Sequence, residues 1–511
     1  MIPFVRQFKI PLMIASIAML GMVWAVSQPE LDNNLRLWAL WLLPILASIL
    51  VLLWLLFFSP FSTSTKSNVF IAISFMALVC AALFKVEGSV SGSGLPNFIW
   101  RWSAREKLPS RQQPSPQLKE PTTSAAQDSP QFLGRDRNAM LPAPAFSSDW
   151  RSHYPHELWR QSIGEGWSAF CVIGGRAITQ EQREGEEWVS CYDLGTGSLL
   201  WQHADVAHFS EWQSGDGPRT TPTHDEGKLY TLGATGILNC LELTNGKKLW
   251  SQNILTEGKN LEWGLACSPL IFDDLVIVTA GDAPGPTMMA FDKASGTLRW
   301  QSGTEKAGYC SAIACTLCGT RVILTQNALK LTAHDPATGS ILFQHPWGSD
   351  KMPKCSQPVV IDEQHLFVSA GYQMGCEMLE LSRDASSNQW SVKTLWANKK
   401  MKTQFNSVTR SGDCLYGLDD GSMACIDITT GQRLWKEGRY GSGQHLQLGT
   451  DQALIQSERG PVFLAQMQRT GYKELATLPA LNSKTWNYPT LAGNHLLLRN
   501  DREAVCYELV K

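Results

Sequence analysis

The sequence predicts an all-β fold: an eight-bladed β-propeller closed by pairing of its N- and C-terminal strands, preceded by three transmembrane α-helices. Three observations carry this. One motif recurs five times, a half-motif stands at each end of the repeat region, and three apolar runs of membrane-spanning length come first.

The motif is "CYDLGTGSLLWQH" (191–203), with "CLELTNGKKLWSQ" (240–252), "AFDKASGTLRWQS" (290–302), "AHDPATGSILFQH" (333–345) and "CIDITTGQRLWKE" (425–437). An acid is followed four residues later by Gly and eight residues later by an aromatic. The sets are Asp193/Gly197/Trp201, Glu242/Gly246/Trp250, Asp292/Gly296/Trp300, Asp335/Gly339/Phe343 and Asp427/Gly431/Trp435. The acid is placed to accept backbone N–H bonds across a tight turn, and the glycine supplies its positive φ. The aromatic then falls on the outermost strand of the unit, where a large flat side chain wedges against the next sheet. Between motifs, β-rich runs alternate with turn signals such as "DEG" and "ATG" (225–227 and 234–236). Four-stranded units recurring every 43–50 residues or so define a propeller.

Degenerate copies complete the count. "MLELSRDASSNQWSVKTLW" (378–396) is a repeat with eight residues inserted, and "FLAQMQRTGYKELATL" (463–478) is one without its tryptophan. "AVCYELVK" (504–511) matches "VSCYDL" (189–194) but has no fourth strand after it, while "HELWRQS" (156–162) has the Leu-Trp and no blade before it. Seven complete units and this composite give eight blades, with no sheet edge left open between the ends.

The apolar runs are 10–27, 37–58 and 69–85. A cleaved signal peptide also fits the first run alone, but two further spans follow at once, so the membrane anchor (1–86) is favoured. Arg6, Lys9 and Lys66 favour a cytoplasmic N-terminus, which puts everything after the third span outside; Arg36 and Lys85 count against this. The expected location is a bacterial cytoplasmic membrane, multi-pass, with the lipid bilayer a partner through residues 10–85. Residues 87–155, rich in Ser, Pro, Gln and Gly, are expected to be a linker. Within them "NFIWRWSAREK" (97–107) also suits the lipid interface, with a plain linker favoured. The formal net charge is −2 without a basic stripe, which argues against nucleic acid.

The repeat resembles the tryptophan-docking motif of the pyrroloquinoline quinone (PQQ) repeat superfamily, over residues 156–511. "PQFLGRDRN" (130–138) and "ELWRQSIGEGWSAF" (157–170) look like PQQ-like propellers of bacterial genomes. The resemblance implies one of two functions. Quinoprotein alcohol and glucose dehydrogenases hold PQQ and Ca²⁺ on the propeller axis. Non-catalytic propellers, such as the lipoprotein of the outer-membrane β-barrel assembly machine, bind proteins. The alcohol dehydrogenases use a disulfide between adjacent cysteines; this chain has no Cys-Cys pair, but the glucose dehydrogenases lack it too, so the absence excludes that subgroup alone. The dehydrogenases also carry longer loops over the cofactor, whereas the loops here are mostly turns. The expectation is therefore a membrane-anchored binding or scaffolding module without catalytic residues, cofactor or metal. The alternative is a membrane-bound PQQ-dependent sugar or alcohol dehydrogenase with PQQ and calcium.

Thirteen cysteines invite a metal or disulfide reading. Cys191, Cys240, Cys425 and Cys506 stand two residues before a motif acid, where Ala290 and Ala333 stand elsewhere, which marks a small buried slot. Cys267, Cys310 and Cys355 begin successive inner strands, each followed by Ser, and small residues suit the narrow centre better than a shared metal. The Cys315-x₂-Cys318 pair has no second pair at finger spacing. "DD" at 273–274 and 419–420 is expected in solvated turns. The starts of the innermost strands surround the axial opening. They carry Trp167, Arg219, Glu262, Trp263, Lys354, Lys402, Asn406, Gln444, Trp486 and Asn487. Such a funnel suits a small polar or planar ligand, or a segment of another envelope protein; a wet polar mouth without a ligand fits the same residues.

Overall fold

The computed structural model describes residues 8–28, 31–103, 127–256 and 258–511. It divides into two units. The first is Met1–Arg105 with Trp212–Gly215; the second is the remainder.

The first unit holds helices α1 (Lys9–Ser27), α2 (Asn33–Phe57) and α3 (Thr63–Leu83), each long and apolar enough to cross a membrane. Their ends are capped from the sequence. The Asp32 carboxylate accepts the Asn34 N–H at the start of α2 (2.8 Å), and Arg36 donates to Gln28 O (2.8 Å) just past α1. Lys66 Nζ donates to Leu56 O in the last turn of α2 (3.0 Å). Directly after α3 the chain forms an antiparallel hairpin, β1 (Phe84–Ser89) with β2 (Pro96–Trp100). The linker expected from residue 87 is therefore a two-stranded sheet at its start. Residues 104–126 of that linker lie outside the described residues.

The second unit is the eight-bladed propeller, each blade a four-stranded antiparallel sheet and one of them extended by a fifth strand. The motif explains how blades dock. The Asp193 carboxylate accepts the N–H groups of Gly195 (3.1 Å) and Thr196 (2.9 Å), and Asp292 and Asp335 close their turns the same way. The tryptophan of one blade lies flat on the motif glycine of the next. A Cβ on Gly246 (φ +71°) would stand 2.3 Å from the Trp201 ring. The indole N–H then bonds the carbonyl one residue past the acid: Trp201 to Leu243 (2.9 Å), Trp250 to Lys293 (3.1 Å), Trp300 to Pro336 (2.9 Å). Phe343 has no such donor, and its ring packs on Trp390 instead (5.3 Å between centroids). The eight-residue insertion lengthens one hairpin, Gly375–Arg383 with Trp390–Asn398, leaving Trp396 docked on Ile428 O (2.9 Å).

Closure is as expected. The last strand, Glu503–Glu508, pairs with His156–Ser162 in antiparallel register, Cys506 opposite Trp159. Arg499 of the composite blade reinforces the seam, donating to Thr179 Oγ1 (2.7 Å), Gln180 O (2.7 Å) and Gly164 O (2.9 Å).

Residues 127–155 depart from the linker expectation, because they pack on the propeller. Ser129 bridges to Val172, and Pro130 O accepts the His224 N–H (2.8 Å). The buried Arg137 guanidinium reaches Ser268 O (2.9 Å), Pro269 O (3.0 Å) and Ala312 O (3.2 Å). Met140–Leu141 then adds a parallel strand to Gln444–Leu448, and Leu133, Ala139, Phe146 and Trp150 join the core. This strap runs along the inner strands, joining segments at Val172, His224, Pro269, Ala312 and Gln447. Its composition reads as disordered because four apolar anchors are spread through polar residues.

Candidate functional site at the axial mouth

The segments leading into the inner strands are stitched across blades. Each backbone N–H reaches a hydroxyl of the next segment: Ala169 to Thr221 (3.2 Å), Thr221 to Ser268 (2.9 Å), Ser268 to Ser311 (2.9 Å) and Gln357 to Ser407 (3.2 Å). Ser407 N–H donates to the Tyr488 hydroxyl (2.6 Å). The serines after Cys267 and Cys310 are therefore ring fasteners, and the cysteines are buried. Burial pushes the Cys310 thiol up to about 11, so it stays protonated.

At the starting end of the inner strands, the segments leading into Cys171–Ile173, Thr409–Ser411 and Thr490–Ala492 bring three aromatics together. Trp167 and Trp486 lie 5.0 Å apart, and Phe405 and Trp486 4.9 Å apart. Lys484 Nζ sits 4.4 Å from the Trp486 ring centroid and 5.1 Å from that of Trp167. Glu458 holds the Trp486 indole N–H (2.8 Å) and the Ser442 N–H (3.1 Å). Behind the aromatics lie buried amides. Gln444 Nε2 donates to Trp486 O (2.8 Å) and Asn487 Nδ2 to Ser168 O (2.7 Å). Gln444 Oε1, Asn487 Oδ1, Asn406 Nδ2 and Gln404 Nε2 are buried without a hydrogen-bond partner from the protein. Such atoms cost about 1–3 kcal/mol each unless water or a ligand meets them.

Five of the ten sequence candidates thus belong to one cluster: Trp167, Asn406, Gln444, Trp486 and Asn487. Arg219 lies on the same end, its guanidinium 4.4 Å above the Phe209 ring, and burial lowers it to about 10. Near it, burial raises Glu187 to about 7, against the opposing pull of the Ala234 N–H (3.0 Å) and Arg219. The remaining four do other work. Trp263 packs on Tyr309 (5.5 Å) beside the exposed Glu262. Lys354 is buried with its ammonium on Ala328 O and Ser349 O (2.9 Å), and burial lowers it to about 8. Lys402 is buried on Asp420 (2.6 Å) and Asp419 (3.5 Å).

That last network corrects one expectation. The 419–420 pair is not a solvated turn: Asp419 is fully buried and also binds Arg433 (2.9 Å) and Lys436 (2.7 Å). The 273–274 pair is solvated as expected. Sequence reasoning missed Gln404, Phe405, Glu458 and Lys484. Gln404 and Phe405 flank a named candidate, so the signal was present; Glu458 enters from the turn after an inner hairpin and left none. At the strap end, a cleft of about 530 Å³ lies between Arg137 and Met140 and the inner strands at Ile313, Gln357, Val408 and Arg410.

The fold and motif define the class: an eight-bladed β-propeller whose blades dock through a repeated acid–glycine–tryptophan motif, in a chain with three helices able to span a membrane. The family described as "Outer membrane protein assembly factor BamB" matches residues 185–437. Among solved structures, BamB from Moraxella catarrhalis superposes with a TM-score of 0.51 at 16% identity, covering 69% of this chain and 99% of that one. Quinohemoprotein alcohol dehydrogenase from Comamonas testosteroni gives 0.55 at 11% identity, covering 75% and 81%. Quinohemoprotein alcohol dehydrogenase ADHIIG from Pseudomonas putida HK5 gives 0.54 at 12%, covering 75% and 80%. No curated protein matches the chain. These likenesses establish the fold and leave the function to the site.

Proposed function

We propose that this chain is a membrane-anchored propeller that binds a small polar ligand, or a side chain of an envelope protein, at the aromatic mouth, without catalysing a reaction. The observation that carries it is the contiguous group of Trp167, Phe405 and Trp486 over the amides of Asn406, Gln444 and Asn487, whose buried polar atoms lack protein partners. A flat face on the rings and hydroxyl or amide groups on the amides would satisfy both layers.

The alternative cofactor pair fits these residues poorly. PQQ needs cations for its carboxylates; Lys354 and Lys402 are committed to internal carbonyls and carboxylates, which leaves Lys484 on the aromatic rings and the buried Arg219 at the mouth. Calcium takes 6–8 oxygen ligands, and among the described residues no group of three or more His, Cys, Asp or Glu is placed to hold a metal ion.

The anchor reading places the propeller on the extracytoplasmic side of the cytoplasmic membrane, from the charges of Arg6, Lys9 and Lys66. The binding reading is tested in intact cells by placing p-benzoylphenylalanine at Phe405 of the full chain, with the exposed Val206 as control. A discrete adduct formed at 405 only, and lost on Trp486→Ala, is expected. Equal, diffuse adducts at both positions would contradict it.

A further inference from the structure

The hairpin after α3 carries a largely exposed apolar face, on which Trp41 meets Phe98. In its register Phe84 faces Trp100 and Val86 faces Phe98, so these four side chains share one side of the sheet. Phe84 is 38% exposed, Val86 49%, Phe98 53% and Trp100 45%, with Trp102 beyond them at 62%. Lys85, opposite Ile99, lies on the other side. A two-stranded hairpin is marginal in water, and each such side chain left wet forgoes about 1.5–3 kcal/mol of burial.

The hairpin is also fixed to the helix bundle. Arg101 N–H bonds Leu83 O (2.8 Å), while its guanidinium donates to Ala82 O (2.9 Å) and Ala81 O (2.6 Å), closing the last turn of α3. Trp38 Nε1 bonds Ser93 O (3.0 Å), and Trp41 stacks on Phe98 at 6.0 Å. The second strand therefore returns to the level at which α3 ends, next to helices whose own apolar side chains are exposed. Aromatic residues at the end of a span, with polar groups on the far side, match the headgroup boundary of a bilayer.

We propose that the Phe84–Trp100 hairpin lies in the lipid headgroup region, its Phe84/Val86/Phe98/Trp100 face toward the acyl chains, and fixes the depth of α3. This rests on the reading of the three helices as membrane spans. The partner is lipid, and a protein covering the same face is the competing outcome.

The test uses the full chain in phosphatidylethanolamine/phosphatidylglycerol nanodiscs, with p-benzoylphenylalanine placed singly at Val86, Phe98, Glu87 or Leu46. Val86 is included because it takes no part in the Trp41 stack. Mass spectrometry after irradiation reads lipid adducts. Positions 86 and 98 should give adducts at a yield near that of Leu46, in the middle of α2, and several-fold above Glu87. Adducts at Leu46 with none at 86 and 98, or protein adducts there, would overturn the hairpin assignment and leave the spans standing. No lipid adduct at Leu46 would overturn the membrane reading and the hairpin with it.

Discussion

At the scale of single residues, the motif tryptophan and glycine form one contact between two blades. Trp250→Ala removes a large side chain and the bond to Lys293 O, a change of about 3–5 kcal/mol in stability. Gly246→Ala forces a Cβ into the Trp201 ring at positive φ and should cost at least about 1–3 kcal/mol. Urea unfolding of the two variants checks both, and a change within error in either would remove the docking account. Glu187 gives a prediction in pH. Its folded pKa is raised by burial to about 7, so the folded state holds a proton that the unfolded state releases above the ordinary carboxylate value. Stability from this group is present at low pH and falls as pH rises toward 7. Glu187→Gln should therefore stabilise the protein at pH 8 by about 1–3 kcal/mol, with little change at pH 4. A stability difference independent of pH would show that the carboxyl is not held neutral.

Among elements, the strap is the part the sequence concealed. Blade boundaries were legible because a turn acid, a glycine and an indole recur at fixed spacing. Residues 127–150 have no period, and their four anchors make contact only once the ring exists. The closing strand was legible for the opposite reason, since "HELWRQS" carries half of a motif whose other half ends the chain. Arg137 is the strap's main fixing point. Arg137→Met leaves three buried carbonyls without their donor and should lower stability by about 2–4 kcal/mol. Urea unfolding should show that loss, with the blade core intact by tryptophan emission; no loss would mean that the strap merely lies on the surface. The candidate site was half legible. Counting strand starts found Trp167, Asn406, Gln444, Trp486 and Asn487, but could not show that Lys354 and Lys402 turn inward onto carbonyls and carboxylates.

For the whole molecule, topology and chemistry are the two open axes. Basic residues near span ends were read as orientation signals, and Arg36 and Lys66 also serve as bonds to helix carbonyls, which weakens each as a vote on sidedness. Labelling decides it. With a membrane-impermeant thiol reagent on intact cells, Ser152→Cys should react and Ser64→Cys should not, relative to the parent chain. The reverse pattern would place the propeller in the cytoplasm.

The measurement that bears most directly on the central claim is a titration of the full chain with PQQ and Ca²⁺, followed by thermal melting and by dye reduction with sugars and alcohols. With Lys354 and Lys402 committed internally, and Glu262 exposed beside Trp263, the account predicts an unchanged melting temperature and no reduction. A saturable rise in melting temperature with turnover on any sugar or alcohol, the turnover lost in Glu262→Gln while binding persists, would contradict it and make the chain a quinoprotein dehydrogenase.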